Sequence, residues 1–203
     1  MLTPKLLPRS FYFDPPDTVS RNLLGKLITH RLDGERLIGR IVEVEAYFGT
    51  DDPAAHSFAG KTERNAVLFG PPGVAYVYFI YGMYYCLNVS CEPDGQAGGV
   101  LIRALEPVAG LETMARLRKL APNARPQLLT SGPGRLCQAL GITRATHNGI
   151  DVTKKTSELQ FTDDGYQPDA ISATPRIGIS KAADRPHRFI IAGNKFVSGK
   201  VRL

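Results

Sequence analysis

Cysteine is scarce in this chain. Cys86, Cys91 and Cys137 form an odd set with no C-x-x-C pair, which argues against a disulfide framework and against a thiolate zinc or iron–sulfur site. No apolar run approaches the roughly 20 residues of a membrane span. The opening MLTPKLLPRSFYF has neither the apolar core nor the small-residue cleavage site of a signal peptide. A cytoplasmic address is expected, at the nucleoid in a bacterium or in the nucleus of a eukaryote. Internal repeats, low-complexity segments and linker-like stretches are also missing, so the 203 residues are expected to form a single domain, 1–203, around one core. Acid is scarce in one place. From Arg176 to Leu203 there are seven basic residues against Asp184 alone, so this segment carries the whole net charge of +6. That is what a polyanion-binding face would need, and equally what a solvated basic face would look like.

Tyrosine, by contrast, is concentrated. Five of the eight tyrosines, Tyr76, Tyr78, Tyr81, Tyr84 and Tyr85, lie in GPPGVAYVYFIYGMYYCLNVS. β-Branched and aromatic residues on either side of Gly82 predict a β-hairpin with its tip near Tyr81-Gly82. Alternation puts Tyr76 and Tyr78 on one face and Tyr81 beside the turn. Such rings serve either as amphipathic core or as platforms on which flat ligands stack.

Elsewhere the pattern is mixed. DPPDTVSRNLLG predicts a helix over about Thr18–Leu24, with Asp17 as N-cap and Gly25 as stop. LITHRL, Asp33-Gly34 and RLIGRIVEVEAY predict a second hairpin; Ile41, Glu43 and Glu45 share one side of its second strand, with Val42, Val44 and Ala46 on the other. GGVLIRALEP predicts a further strand, and Leu111–Leu120 a helix with Leu111, Met114, Leu117 and Leu120 on one stripe. A helix over about Arg135–Leu140 and short strands at RIGIS and RFIIAG follow. Hairpins without repeated β-α-β units point to an α+β fold with a curved, mainly antiparallel sheet.

Glu45, at the end of an apolar strand, is the leading candidate for chemistry, because partial burial raises a carboxylate's pKa and strengthens its electrostatics. The alternative is an exposed strand carboxylate or a buried ion-pair partner. Tyr47 and His56 follow closely enough to converge on it. Asp51 and Asp52 are expected to cap a short helix containing Ala54, Ala55 and His56. Together these acids and His56 could ligate a divalent ion, but no H-x-x-x-H pair supports it. SGPGRL could present amides to a phosphate, though it lacks the G-K-[ST] ending of a nucleotide loop. His30, His147 and His187 receive no assignment.

The segments VEVEAYFGTDDPAAHSFAGKTERNAVLFGPPG, AYVYFIYGMYYCLNV, LIRALEP, LTSGPGRLCQALGI and PRIGISKAADRPHRF resemble, in that order, the alkyladenine (3-methyladenine) DNA glycosylase family. Residues 146–173 follow its pattern least. The resemblance implies a compact mixed fold whose protruding β-hairpin enters the DNA minor groove, and removal of damaged purines by base flipping without metal or organic cofactor. It makes Glu45 the base that activates water and Arg103 the residue positioning both. Tyr47, His56 and Tyr78 enclose the flipped base, Asn88 obstructs the 2-amino group of guanine, Leu101 lies on the pocket floor, and Tyr81 fills the gap left in the duplex. The expected partner is double-stranded DNA containing damaged purines, met by a monomer. A non-catalytic nucleic-acid binder and a metal-dependent nuclease are the competing readings from the residues alone.

Overall fold

The computed structural model describes residues 3–199. A short strand, β1 (Lys5–Leu6), precedes helix α1 (Pro16–Leu23). Pro16 occupies the first helical position, where a missing N–H costs nothing. The helix therefore starts two residues before the expected Thr18, and Asp17 is not the cap: it sits in the first turn with its carboxylate accepting the Thr18 N–H at 2.9 Å. Val19 and Leu23 are fully buried, each stabilising the fold by about 1.5–3 kcal/mol.

Strands β2 (Leu27–Leu32) and β3 (Glu35–Tyr47) pair antiparallel. The expected Asp33-Gly34 turn is present, with φ of 50° and 82°. The tyrosine-rich stretch forms β4 (Ala75–Ile80) and β5 (Tyr84–Ser90), and Tyr81 and Gly82 both adopt positive φ at the turn between them. β6 (Gly99–Ala109) and α2 (Leu111–Leu117) follow. α2 stops short of the expected Leu120 because Lys119 enters the left-handed region at φ 54°; Met114 is buried while Leu111 stays exposed. The remaining elements are α3 (Gln127–Thr130), α4 (Pro133–Ala139), α5 (Arg144–His147), β7 (Leu159–Asp163), β8 (Ile171–Thr174) and β9 (Arg188–Ile191). RIGIS is not a strand but a loop. β7 and β8 have no counterpart in the sequence reading.

Among the described residues all pairings are antiparallel, in one nine-stranded sheet ordered β1-β7-β2-β3-β6-β5-β4, with β9 joining β3 and β8 beyond it. The fold is α+β, as expected. β3 is its axis. Register shifts where Ile41 faces Leu105, Glu43 faces Ala104 and Val44 faces Ile102 insert Val42 and then Arg103 as extra residues, and such bulges bend and twist the strands. β5 pairs with β6 only through Asn88–Ser90, so the Tyr84 end of the hairpin carries no pairing on that side.

Candidate active site

Sheet register assembles the site. Tyr76 pairs with Asn88, Asn88 with Leu101, Leu101 with Glu45, and Glu45 with Arg188. Directly opposite residues share a face, so one row across five strands carries four distant parts of the sequence to one place. Its Tyr76, Asn88 and Leu101 line a cavity of about 490 Å³, whose walls also include Tyr47, His56, Tyr78, Tyr81 and Arg103. Every cavity residue that the resemblance implied therefore borders the same space.

Glu45 stands behind this wall. It is fully buried, and its neighbours are the cavity-lining Tyr47, Arg103 and Ile177. Oε1 accepts the Ile177 N–H at 2.7 Å and lies 3.3 Å from Arg103 Nη1, while Oε2 accepts the Tyr47 hydroxyl at 2.9 Å. Burial pushes the Glu45 carboxyl above its ordinary range, against the pull of Arg103, the Ile177 amide and the Tyr47 hydroxyl. Burial disfavours charge on Arg103, but Glu45 and Glu43 more than offset it and hold the guanidinium's pKa above its usual value. The Tyr47 hydroxyl is pushed up by burial and by the neighbouring Glu45, so it remains a donor.

Glu43, two residues back on the same face, is also fully buried. Its Oε1 accepts from Arg103 Nε at 2.9 Å, Arg188 Nε at 2.7 Å and Ser198 Oγ at 3.0 Å, and its Oε2 from the Ser198 N–H at 2.6 Å. Arg103 thus bridges both glutamates, and the second acid is structural. An unpaired buried carboxylate would cost several kcal/mol, which is why two arginines attend it.

The aromatic wall is ordered by contact. The Tyr76 and Tyr78 rings lie 5.6 Å apart at 34°, and His56 meets Tyr78 edge-on at 4.5 Å. His56 Nδ1 bonds the Tyr76 hydroxyl at 3.0 Å, and the His56 carbonyl accepts from Asn65 Nδ2 at 2.9 Å. Burial and then Arg64 hold the His56 imidazole below its usual pKa. Asn88 Nδ2 donates to the Tyr76 carbonyl at 3.1 Å, which clamps the side chain and fixes the orientation of its amide. Tyr81, 76% exposed, stands at the rim.

Three expectations need correction. Residues 52–58 form turns, not a helix. Asp52 is no surface cap: it is fully buried and paired through both oxygens with Arg176, which also donates to the Ala46 carbonyl at 2.9 Å. Its carboxyl is held below the usual range because, although burial raises it, the bonds from Arg176, Ala54 and Phe48 outweigh that. Glu43, Glu45 and Asp52 therefore face arginines, while Asp51 is exposed. The basic C-terminal segment is not wholly a surface face either. Arg176 and Arg188 are consumed inside, Lys181, Arg185 and Lys195 are exposed, and Lys200 and Arg202 lie outside the described residues. Sequence reasoning missed Arg176 and Ile177, whose loop supplies the amide to Glu45 and a guanidinium 4.6 Å over the Tyr47 ring. The available signal was that two acids on one buried strand face require counter-cations, and the acid-poor segment had them to spare.

A family model for methylpurine-DNA glycosylase matches residues 10–195. Relatives bearing a 3-methyladenine DNA glycosylase name include one from Koribacter versatilis, 59% identical over 96% of this chain and 93% of its own length. Another from Alkaliphilus oremlandii is 50% identical over 96% and 99%, and one from Methanocella arvoryzae 49% over 95% and 96%. With the match spanning the strands that build the row as well as the loops that close it, the chain belongs to the methylpurine-DNA glycosylase family.

Proposed function

We propose that this protein is a monofunctional, monomeric DNA glycosylase that flips alkylated or deaminated purines, of the 3-methyladenine, hypoxanthine and ethenoadenine class, out of duplex DNA and hydrolyses the N-glycosidic bond. The observation that carries the reading is the buried Glu45 carboxylate with its oxygens partly occupied. Each oxygen offers two acceptor sites. Oε1 accepts the Ile177 N–H and is ion-paired with Arg103, and Oε2 accepts the Tyr47 hydroxyl, so Oε2 keeps a second acceptor site for the water. In this mechanism Glu45 takes a proton from that water as its oxygen bonds to the sugar carbon, and the glycosidic electrons leave with the base. The carboxylate also stabilises the oxocarbenium-like sugar, with Arg103 orienting both groups.

Selection begins with flipping, which costs a few kcal/mol and least at a damaged pair. Tyr81 fills the vacated stack, and an aromatic contact of that kind is worth roughly 1–3 kcal/mol. A cationic base such as 3-methyladenine gains attraction from the Tyr47 and Tyr78 faces that a neutral base lacks. For a neutral 6-oxo purine the handle is His56. With the Tyr76 hydroxyl donating to Nδ1 across their 3.0 Å contact, the proton of the neutral imidazole sits on Nε2 as a donor. Asn88, clamped to the backbone, rejects guanine by leaving its amine without space.

The test is incubation, with excess EDTA, on a duplex carrying a single hypoxanthine or ethenoadenine. Half of each sample is treated with alkali, and Glu45→Gln is run in parallel. Strand scission only after alkali, absent in the variant whose affinity for the duplex persists, is expected. Scission without alkali would indicate a lyase or nuclease, and tight binding without base release from either lesion or from 3-methyladenine DNA a bare binding module. Either result would overturn the proposal.

A further inference from the structure

A second cluster of titratable groups lies in a different part of the fold and has no part in the chemistry above. His30 on β2 and His147 at the end of α5 are both buried, and their Nε2 atoms face each other at 3.0 Å. Glu158, on the segment entering β7, lies beside them with Oε1 3.8 Å from His147 Nε2, and the three donor atoms fall within 4.8 Å of one another. We propose that His30, His147 and Glu158 form a zinc site that ties β2, α5 and the approach to β7 together.

The inward nitrogens are aimed as metal ligands are. His30 Nδ1 is held 2.6 Å from the Leu140 carbonyl. A carbonyl only accepts, so the His30 proton sits on Nδ1 and its Nε2 lone pair points at His147. Backing of this kind orients metal-bound histidines and raises their basicity. His147 Nδ1 lies 2.6 Å from Thr146 Oγ1 and 3.2 Å from the Thr143 N–H. Without metal, Nδ1 accepts from Thr143 and the Nε2 proton goes to His30. With metal, that proton moves to Nδ1 and is donated to Thr146 Oγ1, so both imidazoles stay neutral. The cost is the long Thr143 bond.

Zinc–nitrogen bonds of about 2.0–2.1 Å in a tetrahedron set two nitrogens about 3.3 Å apart, a few tenths wider than observed. Glu158 is half exposed, with its side chain 49% accessible, and only its main chain is tied, its carbonyl accepting the Arg31 N–H at 3.0 Å. It can swing inward and supply the negative charge, leaving a fourth position for water from the solvent side. Two imidazoles and one carboxylate suit Zn²⁺, whereas Mg²⁺ and Ca²⁺ select all-oxygen sites. The site also bears on the hairpin, because the chain just after His147 anchors β4. Asn148 Oδ1 accepts the Val77 N–H at 3.0 Å, and Ala75 exchanges backbone bonds of 2.8 Å with Gly149 and Ile150.

The experiment titrates full-length, chelator-stripped protein with Zn²⁺, following thermal unfolding, and with Co²⁺, following visible absorption. Zn²⁺ at about a hundredfold excess over its Kd is expected to raise Tm by about 5–10 °C, and Co²⁺ to give the bands of a tetrahedral centre. Glu158→Ala, at an exposed side chain, should fold normally and lose both responses. Thr146→Val, also exposed, should weaken Zn²⁺ by about 10–100-fold through the lost backing. His56→Gln, in the cavity, should leave both responses intact. A featureless Co²⁺ titration with no Tm shift would overturn the site, as would responses that survive Glu158→Ala or vanish with His56→Gln. The outcome is independent of base excision, which the EDTA assay reads separately.

Discussion

At the scale of single residues, the proposed chemistry turns on how strongly Glu45 holds its proton. Burial raises its pKa, while Arg103, the Ile177 amide and the Tyr47 hydroxyl oppose that rise. A base must be ionised to accept a proton, so activity increases as pH rises through the folded-state pKa. The acid limb of the single-turnover rate is therefore expected above the ordinary glutamate value of about 4.3. Tyr47→Phe removes one donor to the charged form and should move that limb upward by about one pH unit, with a smaller change at a pH well above it. A limb that stays in place would mean that Tyr47 does not tune the base. Glu45 and its flanking Tyr47 were legible from strand parity and sequence proximity. The amide from Ile177 was not, because a backbone donor 132 positions away leaves no side-chain signature.

At the scale of elements, the cavity wall depends on how closely α4 approaches β5. A Cβ added at Gly134 would lie 2.9 Å from two ring carbons of Tyr84 and 3.0 Å from its Cβ, so the helix and the strand would have to separate. An alanine would ordinarily favour a helix over glycine by about 1 kcal/mol. Here overpacking, typically costing about 1–3 kcal/mol, should win. Gly134→Ala is expected to lower the urea midpoint and weaken affinity for lesion-bearing duplex, both measurable on one preparation; a stabilised variant would show that α4 is loosely seated. Both β-hairpins were readable, because their turns need positive φ and the sequence places Gly82 and Asp33-Gly34 there. β7 escaped notice because LQFTD is short and gains its place by pairing with β2 and β1, partners distant in sequence.

For the whole molecule, acid should act in stages. His56 and His187 are held below the usual imidazole value, chiefly by burial. They remain neutral when folded and take up protons more readily when unfolded. Their contribution is complete above about pH 6.5 and is lost as pH falls toward their folded values. Asp52, Asp151, Asp163 and Asp164 have lowered pKa values; burial raises the first three, but Arg176, Thr153 and Lys26 respectively lead the groups that outweigh it, and for Asp164 the Arg40 bonds dominate. Their contribution is present above about pH 4 and is lost as pH falls through the folded values. Urea midpoints of the metal-free protein should therefore decline gently below pH 6.5 and steeply below pH 4. A midpoint that rose on acidification would contradict the ion-pair assignments.

Local order by itself determined much of this protein: the turns, the strand faces, the tyrosine platform and the family motifs are written in neighbouring residues, where parity and backbone sterics act. Tertiary structure alone decided which charges meet. Glu43, Glu45, Arg103 and Arg188 could each have faced water, and the register of β3 with β6 and β9, shifted at three places along β6, is what buried them together. The same holds for His30 and His147, 117 residues apart, whose rings the fold sets edge-on at 4.7 Å. Charges and imidazoles interact over a few ångströms in space, and no spacing along the chain encodes that distance.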